Sequence, residues 1–128
     1  MDMESRMLDK VYSFTVDAEG QTISKKFDLD KNVKLVNALF LSSDQPNLLF
    51  YRGSQRIEIS GDEIFPEDFE SKILMSGISV PPDQKYRTLG NGVLAGNGEV
   101  KIQYKDVSNP NASFAAYKVI IVFQCVMK

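Results

Sequence analysis

Apolar and polar residues alternate along this chain with a period of two, the repeat of a half-buried β-strand, and no long stretch carries the 3.6-residue repeat of an amphipathic helix. Residues 114–126 form the longest apolar run. It is β-branched and aromatic through Val119, Ile120, Ile121, Val122 and Phe123, yet polar at Lys118 and Gln124 and too short to cross a bilayer. It reads as a strand covered largely on both faces, on which the other strands pack. Tyr12, Phe14 and Val16 alternate with Ser13 and Thr15, and Ile23, Phe27 and Leu29 alternate with Ser24, Lys26 and Asp28. The intervening Asp17-Ala18-Glu19-Gly20 predicts a turn, and the simplest pairing of the two strands is a hairpin.

Residues 33–41 are almost continuously apolar and predict a second central strand. Leu48-Leu49-Phe50-Tyr51 reads as a short strand, Arg52-Gly53-Ser54 as a turn or bulge, and residues 56–60 as another alternating strand. Residues 62–70 interleave Asp62, Glu63, Glu67, Asp68 and Glu70 with Ile64, Phe65 and Phe69, the pattern of a loop or short helix anchored by its aromatics. Such a cluster of acids can also bind a cation. Val80-Pro81-Pro82-Asp83 stops any ladder, because proline has no amide hydrogen to donate. The glycines of residues 90–98 lack the spacing and the following helix of a phosphate cradle, and Asn97-Gly98 predicts a hairpin turn into an alternating strand at residues 99–104. Asp28-Leu29-Asp30-Lys31-Asn32 opens like a calcium loop, but Val33 and Leu39 stand where that loop needs glycine and glutamate.

These segments predict an all-β protein, an antiparallel β-sandwich of about eight strands with at most one short helix near residues 64–75. A jelly roll is the expected form, with residues 11–16 beside the closing strand; an immunoglobulin-like sandwich lacks its Cys, Trp and Cys spacing here. Residues 1–10 form an N-terminal arm and residues 11–128 a single domain. Met3 and Met7 lie one helical turn apart in that arm, which is either a helical contact or a β extension.

Composition narrows function mainly by exclusion. The chain has 128 residues, a formal net charge of -2 and a pI near 5.1, so it offers no basic field to nucleic acid. The N-terminal residues carry no stretch resembling a signal peptide and nothing resembles a transmembrane segment, which predicts synthesis in the cytoplasm. The lone Cys125 lies in the apolar closing run and is expected to be a buried hydrophobe. Histidine is absent, which removes the usual general base, the Ser-His-Asp and Cys-His systems and most zinc and iron sites. A carboxylate pair among residues 62–70 would need a desolvating cleft, which short-looped sandwiches seldom build. The expectation is therefore no enzyme, no cofactor and no metal.

Two non-enzymatic readings remain. One is a carbohydrate- or ligand-binding module with Tyr51, Tyr86 and Tyr104 as an aromatic platform. The other is a structural protein that occupies a place in a larger assembly. In size and strand pattern the chain resembles the small single-jelly-roll components of tailless bacteriophage capsids, the vertex (penton) or spike-base proteins. That resemblance implies a virion location, self-association into a homo-oligomer and contacts with other structural proteins. The candidate contacts are the N-terminal arm, residues 63–69 and residues 80–89, with Met3, Met7, Phe65, Phe69, Pro81, Pro82 and Tyr86 as the interface side chains.

Overall fold

A computed structural model describes residues 7–75 and 87–128. Eight strands are found among them: β1 (Met7–Val16), β2 (Thr22–Asp28), β3 (Val33–Ser43), β4 (Gly53–Ile59), β5 (Asp62–Glu70), β6 (Arg87–Leu94), β7 (Glu99–Asp106) and β8 (Tyr117–Met127). They form two four-stranded sheets, ordered β1-β8-β3-β6 and β2-β7-β4-β5, with every named pair antiparallel. The all-β sandwich is as expected, and β1 lies beside the closing strand β8 over an unbroken register from Met7↔Val126 to Val16↔Tyr117.

The core lies between the sheets. Alternate residues of β8 (Tyr117, Val119, Ile121, Phe123, Cys125, Met127) point into it, with Phe14 and Val16 from β1 and Val33, Val36, Leu39 and Leu41 from β3. Ile57, Ile59, Val100, Ile102 and Tyr104 meet them from the second sheet. Neither predicted hairpin forms, because β1 and β2 belong to different sheets, as do β6 and β7. The turns at Ala18–Gln21 and Ala95–Gly98 do reverse the chain, closed by backbone bonds of 3.2 and 2.7 Å. Each carries it across the core, because turn chemistry sets the reversal and burial of the apolar faces sets the pairing.

Three local assignments change. Residues 48–51 belong to a helix, α1 (Pro46–Arg52), and not to a strand. Pro46 supplies the preset φ of a first helical position, and Leu48, Leu49 and Arg52 fall on one buried face. Residues 62–70 are the edge strand β5 and not a loop or helix. Its register on β4 shifts twice, and the shifts accommodate Pro66 and erase the period-two signal. A single 3-10 turn (Ser71–Leu74) follows it, at the far end of the range where a helix was expected. Residues 7–10 are strand, so of the two forms expected for the arm Met7 sits in the β extension.

Candidate interaction surface

Outward positions of the β1-β8-β3-β6 sheet can be read row by row from the register. One row is Met7, Val126, Leu35 and Leu94, an apolar line across all four strands. Two residues further along runs Val11, Val122 and Phe40. Between them Asp9 and Gln124 make a polar break beside buried Ala38, where Asn37, at a bulge in β3, donates to Gln124 at 2.8 Å. Beyond the second row the face turns more polar, with Ser13 and Ser42 flanking Ile120, and then Thr15 and Lys118. Met7, Val11 and Leu94 are 51, 60 and 67% exposed, and Leu35, Phe40, Ile120 and Val126 are partly so. The closing strand is thus buried on its inner face, while its outer face is only partly covered, which corrects the expectation of cover on both sides.

The outer face of the β2-β7-β4-β5 sheet is built differently. Lys26 stands opposite Lys101, and Lys101 opposite Glu58. Glu99 reaches both lysines, at 3.3 and 3.5 Å, and offsets their repulsion. Ion pairing with Lys26 first, then Lys101, holds the Glu99 carboxyl below the usual carboxylate range. Arg56 pairs with Glu58 and, at 2.7 Å, with Glu63. A shallow depression of about 360 Å³ lies on this face between Lys25, Lys26, Arg56 and Glu58. Lys26, Lys101 and Arg56 are matched by neighbouring carboxylates, and it reads as a solvated surface.

One end of the sandwich is tied by a buried polar cluster. Arg52, at the end of α1, donates to both carboxylate oxygens of Asp106 (3.0 and 2.8 Å), to the Ala112 carbonyl (3.0 Å) and to Glu19 (3.2 Å), with Phe114 stacked on its guanidinium. Asp106 also accepts from the Gly20 amide and the Tyr117 hydroxyl. The Tyr104 and Tyr117 hydroxyls lie 2.8 Å apart and join the two sheets, while Ser71 donates to Gln55 at 2.5 Å. Burial alone would raise the Asp106 carboxyl; Arg52, Gly20 and Tyr117 together outweigh it and hold the group below its ordinary value. Burial raises both tyrosines. Gly53 sits against this cluster, where a Cβ would run into the Tyr104 hydroxyl, Ser71 Oγ and the Leu49 carbonyl. Among the described residues no buried side-chain polar atom lacks a partner, so the cluster spends its hydrogen bonds internally, as a staple does.

Of the predicted interface residues, Met7 lies on the exposed apolar face. Phe65 does not face outward: it is a core residue, its ring 4.6 Å from that of half-buried Phe69. Met3, Pro81, Pro82 and Tyr86 lie outside the described residues. Of the tyrosine platform, Tyr104 is fully buried and Tyr51 is exposed on α1 beside Phe50. No three His, Cys, Asp or Glu residues converge among the described residues. Cys125 is buried, and burial pushes its thiol up to about 11. The apolar rows of the first sheet were missed as a surface because residues 33–41 and 114–126 read as core on both sides. The bordering residues that distinguish one face, Met7 and Val11, lie on a different strand. Comparison with protein-family models, with curated proteins and with solved structures finds no match to this chain.

Proposed function

We propose that this protein is a non-enzymatic structural subunit that holds its place in a larger assembly through the outer face of the β1-β8-β3-β6 sheet. The observation that carries this reading is the pair of apolar rows on that face, Met7-Val126-Leu35-Leu94 and Val11-Val122-Phe40. Exposed apolar side chains gathered on one face of a sheet, here Met7, Val11 and Leu94 around the better-covered Leu35, Val122 and Val126, mark a place where another surface belongs. The strand orders support a jelly roll: two four-stranded sheets, with first and last strands adjacent and successive strands mostly crossing between layers. On that basis the finer reading is a virion component, capsid-associated as a bacteriophage penton or spike-base protein, bound to copies of itself and to other structural proteins.

The test is native mass by light scattering, with the full chain and with Leu94→Lys/Ile120→Lys, which places two charges on the outer face and away from the core. The wild type is expected to form defined multimers, and the double variant to lose the contacts made by this face while keeping its fold by circular dichroism. A wild type that stays monomeric at high concentration, or that binds a sugar or turns over a substrate unaided, overturns the reading.

A second reading, a carbohydrate-binding module, is favoured by one feature. Exposed Tyr51 borders an open cleft of about 270 Å³ whose other walls include Ser54, Glu70, Ser108 and Asn109. Glycan binding abolished by Tyr51→Ala, with the fold intact, would establish it.

A further inference from the structure

Deepening the assembly reading and resting on it, we propose that β1 is a pairing edge for a second copy of this chain, the two β1 strands lying antiparallel about a two-fold axis at Val11 to make one continuous sheet. The inference starts from a comparison of the four sheet edges among the described residues, β1 and β6 in one sheet and β2 and β5 in the other. Free edges expose unpaired backbone groups, and stable monomers blunt them with proline, bulges, lysines or short length. β5 carries Pro66 and two register shifts. β6 carries Gly90 and Gly92 at positive φ and faces a break in the β3 register. β2 has seven residues and presents Lys25 and Lys26 side by side. β1 has ten residues, no proline or glycine, and an unbroken register with β8. The inward Lys10 has its charge answered within the chain by Asp30.

With a second copy as the occupant, charge and the run of the apolar row favour one register. In a continuous antiparallel sheet, residues opposite one another share a face, so a two-fold axis relating two β1 strands must pass through a residue. An axis at Asp9 or Lys10 sets like charges against each other. An axis at Val11 sets Val11 against its own copy, Lys10 against Tyr12, Asp9 against Ser13 and Met7 against Thr15, with no like charges opposed. It also extends the row Val11-Val122-Phe40 across the junction into the second copy, doubling its width. β2 lies beneath β1, since Tyr12 stacks on Phe27 at 4.4 Å, and the lysines of β2 keep the second layer from pairing in the same way. The contact is therefore made by one sheet alone. It is isologous and closes on two copies.

Four single substitutions of the full chain test this, each at an exposed position of β1 where the fold is preserved. Val11→Lys places two cations on the axis and is expected to cut the dimer fraction measured by sedimentation at least tenfold, whereas Val11→Thr leaves it unchanged. Under mild oxidation Val11→Cys is expected to form a disulfide-linked dimer and Ser13→Cys to form none, because residue 13 stands opposite residue 9 and lies too far from its own copy. Native Cys125 is buried and stays out of the reaction. Equal cross-linking at both positions overturns the register. Multimers that persist in Val11→Lys overturn the pairing while leaving the assembly reading standing. Loss of assembly in Leu94→Lys/Ile120→Lys with Val11→Cys still cross-linking separates the face contact from the edge contact. Dissociation on adding salt would also overturn the pairing, since nothing in it depends on opposite charges.

Discussion

The two sheets of this sandwich share one core but turn unlike faces outward. On the β2-β7-β4-β5 sheet the outward positions are Ser24, Lys26, Lys101, Gln103, Arg56 and Glu58, paired across strands in the way of a solvated surface. On the other sheet they include Leu35, Phe40, Val122, Val126, Val11 and Leu94. Core formation does not explain this difference, since both inner faces are already apolar and well packed. Nor does strand propensity alone, because lysine and glutamate serve on strands of the charged face. Met7, Val11 and Leu94, apolar yet half or more exposed on this face, are accounted for by a surface that comes from outside.

Neighbouring residues of β8 separate the two roles and give the largest expected effect. Ile121 is in the core and Ile120 on the outer face. Ile121→Asp buries an unpaired carboxylate and is expected to destabilise by about 3–5 kcal/mol. Ile120→Asp is expected to cost about 1 kcal/mol or less in the isolated subunit while weakening assembly. Urea unfolding and native mass, measured on both variants, check the pair. Equal losses of stability would mean that the outer face is part of the core.

The staple at the end of the sandwich comes next, because it ties Tyr104 and Asp106 of one sheet to Tyr117 of the other and to α1. Asp106→Asn keeps the shape but leaves the buried Arg52 with only Glu19 to answer its charge, and is expected to cost about 3 kcal/mol at neutral pH. The pH dependence has a definite sign. The Asp106 carboxyl is held lower in the folded chain than in the unfolded one, so its contribution is complete above the unfolded carboxylate value of about 3.9. That contribution fades as pH falls through the folded value. The stability difference between wild type and variant should therefore be flat from pH 5 upward and close in stronger acid. A difference that grew in acid would contradict the ion pair.

What could be read from the sequence divides along the same line. Period-two alternation made β1, β2, β4 and β7 legible, and the long apolar runs located β3 and β8, since these signals are local. β5 was hidden by the bulges around Pro66, and α1 by its length, because seven residues hold too few turns to display a repeat. Pairing was legible only where it followed from the fold class, as for β1 beside β8. The Arg52 cluster had no local signal, its partners lying 33, 54 and 60 residues away. The outer apolar face was concealed by its own composition. A strand apolar at every position reads as doubly buried, and only the register shows which half of it meets the core.

The smallest effect is expected on the charged face, where it is most informative as a control. Lys26→Ser/Lys101→Ser removes both cations that Glu99 contacts. Exposed pairs of this kind are screened by solvent and salt and contribute little to stability. The melting midpoint and the native mass should stay where they are, while the Glu99 carboxyl, released from Lys26 and Lys101, should titrate nearer the ordinary glutamate range by NMR. The opposite pattern, a fold left intact but multimers lost, would place the contact surface on the β2-β7-β4-β5 sheet. The apolar rows of the other sheet would then need a different explanation.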